Sequence, residues 1–330
     1  MADDFLVLLG ELLGALLGEV VALSATPFLM IAAMLVLIGV GIVAYGRHKT
    51  PSFIISDQYS TMEEVQHALR AAGLESSNLI VGIDYTRSNE WTGAKSFGKM
   101  LHTIDHHQQN PYQEAIAAIG GVLEAFDDDT LIPVYGFGDE RTQGHSVFPL
   151  NPNAVNNSCQ GFKHLLDCYD RVTPGIKLSG PTSFAPLIRE AMRIVQVTGQ
   201  YHILVILADG QVCDETATVN AIVEASRHPL SIIMVGVGDG PWDQMHTFDD
   251  ELPERKFDNF QFVNFTAIQT RLNKRHISQD ARQATLGVHC LQEIPDQYKT
   301  IKRLGLLKSE RRVYYEPVSV AEGSAPGEGT

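Results

Sequence analysis

The sequence predicts an α/β fold: a doubly wound, mostly parallel sheet with helices on both faces, preceded by an apolar N-terminal segment. Three observations carry this expectation. The runs LIVGI (79–83), ILVIL (203–207) and SIIMVGV (231–237) are apolar without alternation, as strands buried between two helix layers must be. Such runs alternate with helical patterns, the order that yields a parallel sheet. The chain has 330 residues, 44% of them hydrophobic, enough to bury a large core.

The elements follow in order. STMEEVQHALRAAG reads as a helix, with capping-box spacing at Ser60 and Glu63 and Gly73 placed to end it. NLIVGID (78–84) is the first buried strand, followed by a helix over 111–126 and a strand LIPVYGF (131–137). SVFPL (146–150) is short and follows a turn-rich stretch, which predicts an antiparallel edge strand. Helices over 161–172 and 184–195 lead to the strand YHILVILAD (201–209), a helix over 217–227, the strand LSIIMVGVG (230–238) and a final strand FQFVNF (260–265). The last stretch, within 308–330, is rich in Gly, Pro, Ser and Glu and is expected to be a disordered tail.

Residues 1–50 read as a membrane anchor. No charged residue occurs from Val20 to Gly46, and the 18 residues Phe28–Tyr45 are almost continuously apolar. As a helix they would rise about 27 Å, close to the ~30 Å hydrocarbon layer, which predicts a transmembrane helix over about 27–46. A cleaved signal peptide fits less well, because Asp3, Asp4, Glu11 and Glu19 precede the run without any Lys or Arg. Arg47 and Lys49 follow at once, so the positive-inside bias predicts a single-pass protein with its folded part facing the cytosol. Upstream, Gly10, Gly14 and Gly18 form a small-residue stripe suited to self-association, in a segment read as interfacial or partly inserted.

The formal charge of −14 disfavours nucleic acid as a partner. Cys159, Cys168, Cys213 and Cys290 form no zinc-type cluster and read as thiols in a reducing compartment. His102, His106 and His107 lie in a polar stretch, where solvated loop histidines are expected.

In an open α/β sheet, ligands gather at the carboxyl ends of the strands. There the first strand ends in Asp84-Tyr85-Thr86-Arg87-Ser88, a carboxylate followed by two hydroxyls at alternate positions. Thr182 precedes a helix and Asp209 ends a later strand at the same edge. Such hard oxygens suit Mg²⁺, Mn²⁺ or Ca²⁺ rather than zinc. Read singly, Asp84 and Ser88 could be mere caps.

Asp-x-Thr-x-Ser, a loop Thr and a strand-end Asp-Gly, in this order, resemble the metal-ion-dependent adhesion site of von Willebrand factor A domains. The wording GLESSNLIVGIDYTRSNEWTG, LSGPTSFAPLI, YHILVILADGQV and PLSIIMVGVGDGPWDQMHTFDD narrows this further. It resembles the copine-type A domain of copines and plant RING-type ubiquitin ligases, over about Tyr59–Leu307, so that 51–307 is expected to be that domain. The resemblance implies a divalent cation, Mg²⁺ first, held by Asp84, Thr86, Ser88, Thr182 and Asp209, with a position left for a partner's Glu or Asp. The family usually has Ser where Thr86 stands, and the extra methyl bears on local fit. Trp91, Asp139, Ser183, Asp239 and Trp242 are candidates to support the ligands or touch the partner.

Neither paired C2 domains nor a RING cysteine cluster flanks this region in the sequence, so phospholipid binding and ubiquitin transfer are not carried over. The expectation is a non-enzymatic, membrane-anchored, metal-dependent interaction module. The alternatives are a substrate-recruiting component of a ligase whose RING is on another chain, and a scaffold that binds no metal. A dehalogenase-type nucleophile would need an Asp where Thr86 stands. The segment Gly236–Gly240 with Asp258 spaced like a dinucleotide fingerprint is better read as a turn.

Overall fold

The computed structural model describes residues 61–74, 77–105, 107–127, 129–252, 255–274 and 278–307. Its body is a sheet in the order β3-β2-β1-β5-β6-β7, with β4 paired to β2. The strands are β1 (Asn78–Asp84), β2 (Leu131–Phe137), β3 (Phe148–Pro149), β4 (Ser158–Gln160), β5 (His202–Ala208), β6 (Leu230–Gly236) and β7 (Phe260–Asn264). β1, β2, β5, β6 and β7 are parallel, and β3 and β4 each run antiparallel to β2. The expected antiparallel edge strand is therefore present, while β4 has no counterpart in the expectation.

Nine α-helices stand among the described residues: α1 (Met62–Ala72), α2 (Pro111–Leu123), α3 (Gly161–Val172), α4 (Ala185–Thr198), α5 (Glu215–Ala225), α6 (Asp243–Asp250), α7 (Phe265–Asn273), α8 (Gln279–Leu291) and α9 (Ile294–Arg303). The period-two pleat sorts strand residues onto two cores. Leu79, Val81, Ile203, Val205 and Leu207 face one side, where α1, α2, α3, α7, α8 and α9 pack. Ile80, Leu204, Ile206, Ile232 and Met234 face the other, against α4, α5 and α6. Both faces are covered, which is why these strands read as continuous apolar runs. Truncating a residue such as Leu207 to Ala would cost about 2–5 kcal/mol.

Local signals set the helix ends. α1 is capped by Thr61 with Glu64, each side chain bonded to the other's backbone N–H, and Gly73 closes it at φ 79°. The box is thus one residue later than Ser60 and Glu63, a pair with the same spacing. Asn110 and Gln113 form a second box ahead of Pro111, the first residue of α2.

The single-pass membrane expectation is corrected here. Among the described residues, no helix is long and apolar enough to cross a membrane. The segment 27–46, the Gly10, Gly14 and Gly18 stripe and the tail after 307 lie outside the described residues. The four cysteines are free thiols, with Cys159, Cys168 and Cys290 buried and Cys213 exposed.

Candidate metal centre

Register brings the two acids together. Ile83 pairs with Leu207, so Asp84 and Asp209 emerge side by side where β1 and β5 end. Both are buried, at 0% and 1% exposure. Asp84 Oδ1 accepts from the Thr86 N–H at 2.8 Å, whereas Oδ2 is buried with no hydrogen-bond partner. An orphaned buried carboxylate oxygen is costly unless something cationic meets it. Burial first, then the charge of Asp209, raises the Asp84 pKa well above the carboxylate range. Burial also raises that of Asp209, opposed by its hydroxyl donors.

The hydroxyls form a relay between these acids. Ser88 Oγ donates to Asp209 Oδ1 at 3.0 Å, so at the 2.9 Å contact Thr86 Oγ1 is the donor to Ser88. With their protons directed along the relay, both oxygens keep lone pairs for a cation. The Thr86 methyl is accommodated by Gly138, at φ 81°, where a Cβ would lie 2.2 Å from Thr86 Cγ2. Gly138 therefore answers the question of fit that the extra methyl raised.

Backbone contacts bring the Thr182 loop to this rim. Ser179 pairs with Thr86, the Arg87 N–H donates to Ser179 O at 2.6 Å, and the Cys213 N–H donates to Thr182 O at 2.9 Å. Thr182 and Ser183 are both buried. Asp84, Thr86, Ser88 and Asp209 are thus connected through side chains, and Thr182 through backbone.

The flanking candidates divide by role. Asp139 accepts from the N–H and hydroxyl of Thr142 and caps the turn after β2. Asp239 accepts from the Lys95 and Ser96 N–H groups at 2.8 and 3.0 Å, while its own N–H donates to Thr92 O. It fastens the loop after β1. Trp242 packs on Phe262 with ring centroids 5.3 Å apart, but Trp91 is 57% exposed. Trp242 is half-buried, and Trp91 is the more exposed of the two. Asp258 forms a buried ion pair with Arg255, which leaves no role at a ribose.

Sequence reasoning missed three residues. Thr92 Oγ1 lies 2.5 Å from Asp209 Oδ2. Asn89 is fully buried and donates to Thr86 O at 3.0 Å. His102, expected in solvent, is buried between Tyr85 and Tyr112 with ring centroids 4.7 and 4.1 Å away. Its Nε2 contacts Asp84 O at 2.7 Å and its Nδ1 the Tyr169 hydroxyl at 2.8 Å. The carbonyl can only accept, so Nε2 carries the proton and Nδ1 accepts from Tyr169. Burial lowers the His102 pKa to about 4 and keeps the ring neutral. Tyr112 donates to Asn89 Oδ1 at 2.7 Å, so an aromatic and amide layer supports the strand end from beneath. A Ser or Thr four residues after Ser88 was the available sign for Thr92.

The donor set fits a hard divalent cation: two carboxylates, one with a free oxygen, and hydroxyls with open lone pairs. Among the described residues, no group of three or more His, Cys, Asp or Glu is arranged to hold a metal, so neutral hydroxyls must complete such a set.

The parallel sheet with helices on both faces is the fold of a von Willebrand factor A-type domain. The copine family model matches residues 100–310, and the chain belongs to the copine family. It is 54% identical over 267 residues to the E3 ubiquitin-protein ligase RGLG5 of Arabidopsis thaliana, covering 77% of this chain and 60% of the relative. To Copine family protein 2 of Caenorhabditis elegans it is 49% identical over 256 residues, covering 77% of this chain and 3% of the relative. The chain spans 60%, 56% and 53% of the length of three such plant ligases. Among solved structures, a von Willebrand factor type A protein from Catenulispora acidiphila is 14% identical, with a TM-score of 0.39 over 61% of this chain and 42% of that one. That likeness is too slight to carry weight.

Proposed function

We propose that this interaction domain binds a protein partner through a divalent cation, Mg²⁺ first, held by Asp84, Thr86, Ser88, Thr182 and Asp209. The single observation that carries the reading is the buried, unpartnered Oδ2 of Asp84 beside a second buried carboxylate. Hydroxyl ligands add no charge, so a cation there would retain positive charge for a Glu or Asp of the partner. What this chain supplies is positioning: the relay orients the hydroxyls, Thr92 holds Asp209, and the buried layer under Asp84 fixes the strand end. Trp91 stands exposed beside the rim as a contact for the partner.

The test is capture of binding proteins by the immobilised full chain, in Mg²⁺ and in excess chelator, alongside Asp84→Asn. The reading expects capture in Mg²⁺ that chelator and the substitution both abolish. Capture indifferent to both would overturn it in favour of a scaffold that uses no metal.

A second reading is favoured by the 54% identity to a protein named as a ubiquitin ligase. In it the domain recruits substrates to a ligase assembly. Ubiquitin-conjugating or ligase proteins among the metal-dependent captures would support it, and their consistent absence would count against it.

A further inference from the structure

The carboxyl ends of β6 and β7 hold a groove of about 700 Å³, on the same sheet edge as the candidate metal centre. Its lining includes Lys95, Arg271 and Lys274, all exposed, together with Thr266 and Thr270 of α7. Among the described residues, none of the three cations is ion-paired, whereas Arg87, Lys99, Lys177, Arg193, Arg255 and Lys299 each are. The acid in the lining is Asp239, and both its oxygens are engaged by the Lys95 and Ser96 N–H groups. Thr266 Oγ1 accepts from the Gly238 N–H at 2.8 Å, which leaves its proton to be donated outward. On a chain of formal charge −14, three unpaired cations around a concavity form a local site for negative charge.

We propose that this groove binds an acidic segment of the same partner whose carboxylate meets the metal centre, an inference that rests on the metal-dependent reading above. Position supports one continuous ligand. β6 is one strand and β7 two strands from β5, and neighbouring strands lie ~4.8 Å apart, so across the sheet the groove runs from about 5 to about 10 Å from Asp209. Three extended residues span that distance. The two sites are also joined through the chain: the Asp239 N–H bonds to Thr92 O, and Thr92 Oγ1 contacts Asp209. The groove would thus select, among partners with a Glu for the metal, those carrying further Asp or Glu about three residues away.

The test uses the full chain and two fluorescent peptides in a Gly-Ser background, one with a single Glu and one with that Glu followed, after two neutral residues, by four Asp. Binding is read by anisotropy, with Mg²⁺ or chelator, in wild type and in a Lys95→Ala, Arg271→Ala, Lys274→Ala triple variant. The three side chains are exposed, and thermal melting verifies that the variant folds. The expected result is that the triple variant weakens the Asp-tract peptide about tenfold and leaves the single-Glu peptide unchanged. Asp84→Asn and chelator separate the two readings. If they have no effect while the triple variant still weakens the tract peptide, the groove stands and the metal reading falls. Tract binding that is undetectable, or indifferent to the triple variant, overturns the groove. Phosphatidylserine vesicles form the last arm: vesicle binding lost in the variant, with peptides unaffected, would assign the groove to lipid and overturn the proposal.

Discussion

Thr92 Oγ1 lies 2.5 Å from Asp209 Oδ2, across 117 residues of sequence, and ties the loop after β1 to the end of β5. A carboxylate held by its outer oxygen has a fixed inner one, and partners of this kind commonly govern metal affinity. Thr92→Val keeps the shape and removes the donor. It is expected to weaken Mg²⁺ or Mn²⁺ binding about tenfold in calorimetric titration, and unchanged affinity would show that Asp209 needs no such restraint.

Gly138 and Thr86 are coupled by space. A Cβ at Gly138 would meet Thr86 Cγ2 at 2.2 Å, on a backbone at φ 81°. Gly138→Ala is expected to destabilise by about 2–5 kcal/mol in the natural background, the sum of overpacking and left-handed strain. In a Thr86→Ser background the clash disappears and about 1–2 kcal/mol of strain remains. Denaturant melts of the four proteins measure the difference. Equal costs in both backgrounds would refute the steric coupling.

His202 is buried at the start of β5, where burial lowers its pKa to about 4 from 6.5. Its folded pKa lies below its unfolded value, so the unfolded chain binds the extra proton. The stability from keeping this ring neutral is present above pH 6.5 and is lost as pH falls toward 4. Between pH 7.5 and 5 the loss is about 2 kcal/mol. His202→Gln should flatten the acid limb of a stability-against-pH curve by that amount relative to wild type. Parallel curves would mean that the ring is not held neutral.

Trp91 is expected to act on the partner alone. It is 57% exposed, and its neighbour Thr92 faces inward. Trp91→Ala should leave the Mg²⁺ titration unchanged while reducing metal-dependent capture several-fold, as for an aromatic anchor. A weakened titration would instead assign it to the metal loop.

The legible parts of this molecule are those set by local pattern. β5 was readable because all seven of its residues are buried and apolar or nearly so, and Asp84 and Asp209 because a polar residue ending such a run must lie at the strand's carboxyl end. The connections between them were not. Thr92 sits in a loop with no periodicity to fix its direction. His102 lies in the polar stretch KMLHTIDHH, and contacts that no local period encodes take it out of water: stacking on Tyr85 and Tyr112 and a hydrogen bond to Tyr169, 67 residues on. The cap of α1 slipped by one residue because Ser60 with Glu63 and Thr61 with Glu64 carry the same spacing. Resemblance supplied Thr182, whose backbone link to Cys213 no local pattern encodes.

The central claim is that Asp84 is held ready for a cation at a cost to the metal-free protein. Its Oδ2 is orphaned, and burial and Asp209 both disfavour its charge. Thermal unfolding of the full chain and of Asp84→Asn, each with chelator and with Mg²⁺, Mn²⁺ or Ca²⁺, tests this directly. At a hundredfold excess over Kd, a bound ion stabilises by about 2.7 kcal/mol. The account predicts that wild type melts several degrees higher with metal, and that Asp84→Asn melts at or above wild type in chelator and gains nothing from metal. A wild type indifferent to all three ions, or an equal gain in the variant, would contradict it.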